Sequence, residues 1–486
     1  VQTCKKIYNM DESRKLFVGP RLKRLRRELN MSQSRMAEEL GLSPSYLNLM
    51  ERNQRPITAQ VLIRLAHAYQ LDPREFANDD HERTVSELEE VFADPLFRST
   101  PVARLELRET VESAPSLVDA INRLYRAYQA MRGAREAVTP SLSDRDRAED
   151  APQVNPVDRV RELIHDAKNH FAELDEAAEA LASDLAVTGH EPFFAIAERL
   201  HAKHGIRVRV MPIDVMPDFL RRYDHHRRQL LISELVDPSG RTFQAAYQLA
   251  FAEMRETIDA LAARLEPVDG PARRLLRVSF GNYFAGALMM PYGKFHAAAE
   301  ALGYDVEVLG ARFGASFEQV AHRLTTLARP GARGIPFFLV RVDSAGNVSK
   351  RFSSGRFPFS QFGGTCPLWN LHSTFRTPGQ VATQVIELPD SSRWFSIART
   401  VKRAFNPWGA PDPQFVVGLG CELKYAHRLV YARGHDLTSA DATPIGINCR
   451  LCERAACPQR AAPPLMHALI VDEMKRGVSP FEFDAT

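Results

Sequence analysis

Thiols are the side chains whose types and spacing most directly specify a chemistry in this chain. Cys449, Cys452 and Cys457 fall within nine residues as C-x2-C-x4-C, in the run Cys449-Arg450-Leu451-Cys452-Glu453-Arg454-Ala455-Ala456-Cys457-Pro458. Three thiolates so spaced can surround one metal centre, and a fourth ligand must come from elsewhere. Five of the six cysteines lie beyond residue 360, which leaves two candidates. Cys421 follows Val417-Gly418-Leu419-Gly420, where glycines permit close backbone approach, and Cys366 stands in Thr365-Cys366-Pro367. The expected set is Cys421, Cys449, Cys452 and Cys457, with Cys366 as the alternative fourth ligand. The spacing fits an iron–sulfur cluster, while structural zinc also accepts four thiolates and unligated thiols are the plain alternative. Arg450, Arg454 and Arg460 flank the thiolates and offset their negative charge. Disulfides are not expected, because residues 1–30 are basic and polar with no apolar stretch of the kind that directs export.

A second pattern lies near the other end. Residues 1–35 hold ten Lys/Arg against three Asp/Glu. Leu22, Leu25 and Leu29 make one face of a helix, Ser32 stands as an N-cap, Gly41 as a stop, and Ser43 as a second cap before Pro44. Residues 29–53 therefore read as a helix-turn-helix, with Ala37 allowing close crossing and Leu42 and Leu47 in the seam. The frame S-Q-x-x-x-A…S-x-x-x-L…x-E-R resembles the Xre/Cro-like repressors over residues 18–77. That resemblance implies that Ser43, Ser45, Tyr46 and Asn48 face double-stranded DNA. Gln33 and Arg52 would hold phosphates, with Arg24 and Arg27 in support.

A third pattern has lost its chemistry. Residues 241–251 look like a degraded H-E-x-x-H helix, and Gly281-Asn282-Tyr283-Phe284-Ala285 through Pro291 is similar to the A-N-x-F-A-x-x-L-L-M-P segment of the same group. Both resemble the small zinc-peptidase-like domains of IrrE type. Zinc hydrolysis needs two His at i, i+4 and a Glu base, but the matching positions are Ala246, Tyr247 and Ala250. The third-ligand region offers Val278, Ser279 and Phe280, so an enzyme is not expected. What remains is aromatic: Phe243, Tyr247, Phe251, Phe280, Tyr283 and Phe284 either line a small-molecule pocket or are ordinary core. His225-His226 beside Arg227-Arg228 suggests a metal or phosphate site, or more simply a solvated basic turn.

The elements that must position these groups imply a multidomain α+β chain. Its 486 residues suit roughly three or four domains. The expected order is an all-α helix-turn-helix at 18–77 and a helical connector at 78–185 with a flexible linker near 138–155. A degenerate zincin-like α+β domain follows at 186–330, then a C-terminal α+β cysteine-rich domain at 331–486. Strands are expected at 206–210 and 229–232, and long helices at about 242–265 and 271–289. The formal net charge of +3 averages over unlike parts. No run of ~20 apolar residues spans a bilayer, so no membrane partner is expected and the cytoplasm is the expected location.

In order, these domains and the motifs G-G-T-C-P-x-W, L-G-C, C-R-x-C-E-R and C-P-Q-R across residues 363–460 resemble the short-chain fatty acyl-CoA regulators. The resemblance covers essentially the whole chain. It implies a bacterial transcription factor that acts as a homodimer, senses an acyl-CoA such as propionyl-CoA and carries a [4Fe–4S] cluster. It further implies control of propionate/methylcitrate or acetate/glyoxylate catabolic genes. Basic residues such as Arg312, Arg323 and Arg351 are candidates for the CoA phosphates. The alternative is a DNA-binding adaptor with a structural zinc at its C-terminus and no small-molecule sensing.

Overall fold

Two serines set the first helices. Ser32 accepts a hydrogen bond from the Arg35 amide and opens α1 (Gln33–Glu39). Ser43 does the same for α2 (Pro44–Glu51) through the Tyr46 amide, with Pro44 in the first turn, where no N–H is needed. Between them Gly41 turns the chain at φ +61°, a left-handed conformation that a side chain would strain. With α3 (Ala59–Tyr69) these helices enclose Leu22, Met36, Ala37, Leu40, Leu47 and Leu65, all essentially inaccessible to solvent.

The computed structural model describes residues 19, 22, 25, 26, 31–52, 54–69, 81–97, 102–137, 156–185, 192–265, 270–355, 357–359, 365–402, 405, 407–410, 412–437, 442–450, 452–464, 467, 469–475 and 477–483. Residues 1–89 with 102–122 form one unit, and residues 90–101 with 123–486 form another. Helices α4 (His81–Phe92), α5 (Arg104–Ser113) and α6 (Pro115–Ala137) occupy the expected connector, and Val85, Leu88, Leu107 and Val111 are buried. The linker expected near 138–155 lies outside the described residues.

In the second unit α7 (Pro156–Asp166), α8 (Ala172–Asp184) and α9 (Pro192–His204) lead to a small sheet of β1 (Arg207–Met211), β2 (Arg221–Asp224) and β3 (Gln229–Ser233). Its order is β1-β3-β2, parallel between β1 and β3 and antiparallel between β3 and β2. Strand β2 reads Arg-Arg-Tyr-Asp, too polar to stand out from the turn that follows it, and was not among the expected strands. The single helix expected at 242–265 is broken at Met254 into α10 (Pro238–Glu253) and α11 (Arg255–Arg264). Helix α12 (Gly270–Met289) presents Leu276, Phe280, Phe284 and Leu288, spaced by four, as one fully buried stripe.

Helices α13 (Tyr292–Ala301), α14 (Val306–Phe313) and α15 (Phe317–Leu324) then pack on a larger sheet. This sheet contains β4 (Phe338–Asp343), β5 (Val348–Ser353), β6 (Ala382–Glu387), β7 (Arg393–Val401), β8 (Phe415–Glu422) and β9 (Thr443–Pro444), in the order β5-β4-β8-β7-β6-β9. Side chains alternate by two. Leu339, Phe395, Ile397, Leu419 and Cys421 join the core of α13–α15, while Phe338, Val340, Trp394, Ala398 and Val416 form a second core with Trp369 and Phe357. A short pair, β10 (Leu469–Ile470) and β11 (Glu482–Phe483), lies near the C-terminus. Among the described residues no helix is long and apolar enough to cross a membrane.

Candidate functional site

Three places gather the residues singled out from sequence. In the first unit, the Gln33 side-chain amide donates to Glu51 Oε2 at 2.9 Å and to Asn48 Oδ1 at 3.3 Å. Arg26 places two further hydrogen bonds on the Glu51 carboxylate, at 2.6 and 3.1 Å, and a third on the Met31 carbonyl. Its bond to Glu51 raises the Arg26 pKa against the opposing effect of burial. Glu51 is therefore the buried hub that fixes α2 against α1, and it holds Gln33 and Asn48 in one network. Glu51 is the acid of the x-E-R frame, but its role as a buried hub does not follow from the frame, since an acid among basic DNA-facing groups looks out of place. Ser45 and Arg52 are exposed, Ser43 is used as a cap, and Tyr46 lies 6.0 Å beneath the Arg55 guanidinium. Arg24 and Arg27 lie outside the described residues.

The second place is a cavity of about 900 Å³ within the second unit. Its volume is in the range that takes a cofactor-sized molecule. Phe171, Phe243, Phe280, Tyr283 and Phe352 give apolar wall, with Asn169, Gln244, Gln319 and Thr326 between them, and Lys350, Arg399 and Lys402 also line it. Of the six expected aromatics, Phe243, Phe280 and Tyr283 line this cavity and Tyr247, Phe251 and Phe284 do not. Residues 243, 247 and 251 lie on one stripe of α10, but the stripe runs about 12 Å along the axis, so only its N-terminal end reaches the cavity. Tyr247 and Phe251 instead pack on each other as tilted rings with centroids 5.0 Å apart beside Gly281, where a Cβ would fall 2.6 Å from Phe251 and 2.8 Å from Tyr247. The Arg221 guanidinium covers Tyr247 at 4.0 Å. Ala246 and Ala250 are buried core, so the positions that match zinc ligands hold packed hydrocarbon.

Beside the cavity runs a buried polar network. Arg323 meets Asp175 at 2.6 Å and also donates to the Met290 carbonyl and to Thr326 Oγ1. The Tyr283 hydroxyl donates to Asp175 at 2.7 Å, and His170 Nδ1 stands 3.2 Å away. Burial pushes the Asp175 carboxyl up, but the Arg323 charge and the hydrogen bonds from His170, Tyr283 and Arg323 outweigh it and hold the pKa at about 2. His322, edge-on to Phe352 at 4.5 Å, is held neutral chiefly by burial, with its pKa lowered to about 3. Lys350 and Arg341 share Glu318 at 2.6 and 2.9 Å, Arg399 pairs with Glu307 at 3.3 Å, and Lys402 pairs with Asp412 at 3.0 Å. Of the basic residues expected near phosphates, only Arg323 lines the cavity, and its guanidinium is committed to Asp175. Lys350, Arg399 and Lys402 were not anticipated, because each lies on or beside a strand with no local motif around it to mark a phosphate site.

The third place is a small hollow walled by Cys366, Cys449, Cys452 and Cys457. The fourth thiol beside the C-x2-C-x4-C run is thus Cys366. Cys421 does not line the hollow: it lies opposite Phe395 in the β7–β8 ladder, with no solvent exposure, inside the core under α13–α15. The glycines before it serve packing. A Cβ on Gly418 would lie 2.4 Å from Leu371, and one on Gly420 2.4 Å from Phe338. At the hollow itself a Cβ on Gly446 would strike Cys452 at 2.8 Å, so glycine keeps the cradle open. Burial raises the Cys366 pKa, and the Gly446 and Leu368 amides point at its sulfur. Arg460 is buried and pins the loop through the carbonyls of Cys449, Cys452, Arg454 and Ala462. The Nε atoms of Arg454 and Arg460 are buried with no acceptor among the described residues. Unpaired cationic N–H groups beside four thiols suit an anionic metal–thiolate centre. Among the described residues no group of three or more His, Cys, Asp or Glu stands in ligating geometry.

Comparison with known proteins follows the same partition. Residues 326–481 match the family described as short-chain fatty acyl coenzyme A regulator, C-terminal; residues 201–325 match the IrrE N-terminal-like domain; and residues 22–76 match a helix-turn-helix family. The HTH-type transcriptional regulator RamB of Mycobacterium tuberculosis is 40% identical, over 96% of this chain and 98% of its own length. The propionyl-CoA carboxylase regulator of Cereibacter sphaeroides is 39% identical over 97% and 99%, and the HTH-type transcriptional regulator PrpR of M. tuberculosis is 38% identical over 96% and 95%. A solved M. tuberculosis transcriptional regulator superposes with a TM-score of 0.65 at 39% identity, covering 68% of this chain and 99% of that one.

Proposed function

Because this chain belongs to the short-chain fatty acyl coenzyme A regulators, DNA-binding transcription factors of short-chain acyl-CoA metabolism, we propose that it senses an acyl-CoA such as propionyl-CoA in the cavity of its second unit. It would thereby control propionate or acetate catabolic genes without catalysing a reaction. The observation that carries this reading is the composition of the cavity lining. Phe171, Phe280 and Phe352 offer apolar wall for a short acyl chain, while Lys350, Arg399 and Lys402, each paired with a partly exposed carboxylate, offer cations that a polyphosphate would have to share. Thermal shift of the purified chain with propionyl-CoA, free CoA and propionate tests it. Propionyl-CoA should raise the melting temperature most, and Phe280→Ala should abolish that rise while leaving any response to free CoA. No shift with any of the three would end the proposal.

For the hollow we propose that Cys366, Cys449, Cys452 and Cys457 hold a [4Fe–4S] cluster, with zinc as the competing occupant. When bound, such a cluster supplies one-electron redox chemistry and sensitivity to oxygen. The residues of the chain supply the thiolates, the amides on Cys366, and the Arg454 and Arg460 charges. Iron and sulfide analysis of anaerobically purified protein decides between the metals. A colourless preparation with one zinc per chain would favour the adaptor alternative, provided that acyl-CoA also gives no thermal shift. Binding as a homodimer is proposed with the rest, and would place paired half-sites one or more helical turns apart on the duplex.

A further inference from the structure

A dense run of positive charge lies in the middle of the chain, in the second unit rather than in the helix-turn-helix. Residues 199–229 carry eight Lys/Arg against three Asp/Glu, a net of +5, so the remaining 455 residues sum to −2. Part of this charge is neutralised locally: Arg199, Lys203 and His204 all converge on Glu253. The rest is not. Arg207, Arg209, Arg222, Arg227 and Arg228 are exposed, and none forms a salt bridge among the described residues.

The sheet register arrays these arginines on one face. Arg209, Leu231 and Arg222 form one cross-strand row, and Arg207, Gln229 and Asp224 the next, whereas Leu230 and Ile232 point inward and are fully buried. Arg207 and Arg209 are therefore ~7 Å apart along the strand, and Arg209 and Arg222 ~10 Å apart across it. The Arg207 amide donates to the Arg228 carbonyl at 2.9 Å, which draws the β2–β3 turn with its two histidines and two arginines against the same edge. Arg228 holds φ 48°, a conformation that glycine or asparagine would take with less strain. Beside β1 a shallow groove of about 620 Å³ exposes His201, Arg207 and Arg209, with Glu198 as the single carboxylate of its lining.

We propose that this face is a second, sequence-independent DNA-contacting surface that grips the phosphate backbone of the duplex. The inference rests on the chain being a DNA-binding regulator. Five guanidiniums suit a polyanion with repeated phosphates, each matching two N–H donors to two oxygens. Such contacts position a protein on DNA without reading bases. A helix-turn-helix on the same chain raises the effective concentration of duplex at this face, so weak individual contacts suffice.

The test compares full-length wild type with the triple variant Arg207→Gln/Arg209→Gln/Arg222→Gln by fluorescence anisotropy on a random-sequence duplex across a salt series. Removing three phosphate contacts should lower the slope of log K against log salt by about 2.7. The corresponding triple lysine variant should keep most of the slope, since it keeps the charge. Because the three side chains are exposed, the melting temperatures should match. Equal slopes in wild type and glutamine variant would overturn this inference alone. So would a glutamine variant that loses affinity for a poly-glutamate peptide but not for duplex. Failure of the wild type to bind any duplex in a salt-dependent way would instead overturn the DNA-binding reading beneath it.

Discussion

His322 shows how much one half-buried side chain at the cavity wall can dictate. Its ring is enclosed against Phe352, and burial, helped by nearby Lys350 and Arg323, lowers its pKa from 6.5 to about 3. The folded state thus keeps the ring neutral over a range where the unfolded chain protonates it. The associated stability is complete above pH 6.5 and is lost progressively as pH falls toward about 3. Urea unfolding of wild type and His322→Leu at pH 7 and pH 5.5 should show the variant losing less on acidification. Parallel losses would mean that the ring is solvated. Asp175 makes the complementary case: its carboxyl, depressed to about 2, contributes stability above the ordinary carboxylate range that is lost as pH falls from about 4 toward 2. Cutting its pair by Asp175→Asn strands the Arg323 charge in the core and should cost about 3–5 kcal/mol. Asp175→Asn with Arg323→Met should recover part of that in thermal melts, because no unpaired charge remains. Among the thiols, Cys366→Ser should lose bound iron and Cys421→Ser retain it, as read from iron and sulfide content. The reverse result would restore the ligand set that the sequence alone favoured.

At the scale of elements, legibility follows from whether the signal is local. The caps Ser32 and Ser43, the Gly41 turn and the Leu47 seam are all contained within one short run, and the helix-turn-helix is built on them. Ser43→Ala should therefore lower the stability of α2 by about 1 kcal/mol. Glu51→Ala should weaken duplex binding further, although Glu51 is buried and reaches no phosphate, since it releases Gln33 and Arg26 together. Anisotropy titration separates this from a contact defect: loss of a positioning group leaves the salt slope unchanged, whereas loss of a phosphate contact lowers it. Signals that depend on distant partners were not readable in the same way. Gly418-Leu419-Gly420-Cys421 looks like a cradle in one dimension, but strand alternation sends its glycines toward Leu371 and Phe338 and its thiol to the opposite core. The four thiols meet only because the loop holding Cys366 and the loop after β9 are brought to the same hollow. Likewise Lys350, Arg399 and Lys402 come together from two strands fifty residues apart in sequence.

For the whole molecule the question is how the proposed acyl-CoA, bound in the second unit, would alter the affinity of the first for DNA. An effector changes duplex affinity only through its differential affinity for two arrangements of the chain, and the coupling is typically ~1–3 kcal/mol, or about 5–150-fold in affinity. The cavity brings separate elements of the second unit together. Its walls come from both α12 and the edge of the larger sheet, and Asp175 of α8 is fastened to Arg323 of α15 beside it. A ligand that changed the spacing of those walls would also act on α8 through that ion pair. Propionyl-CoA should therefore shift the affinity of the full-length chain for a promoter duplex by a factor in that range. Linkage requires that saturating duplex shift the affinity for propionyl-CoA by the same factor. Anisotropy titrations with and without propionyl-CoA, paired with calorimetric titrations with and without duplex, measure both sides of this cycle. Asp175→Asn should retain both binding events while shrinking the coupling factor toward one. Equal duplex affinity with and without propionyl-CoA in the wild type would leave the cavity with no route to the promoter and would overturn the sensing mechanism.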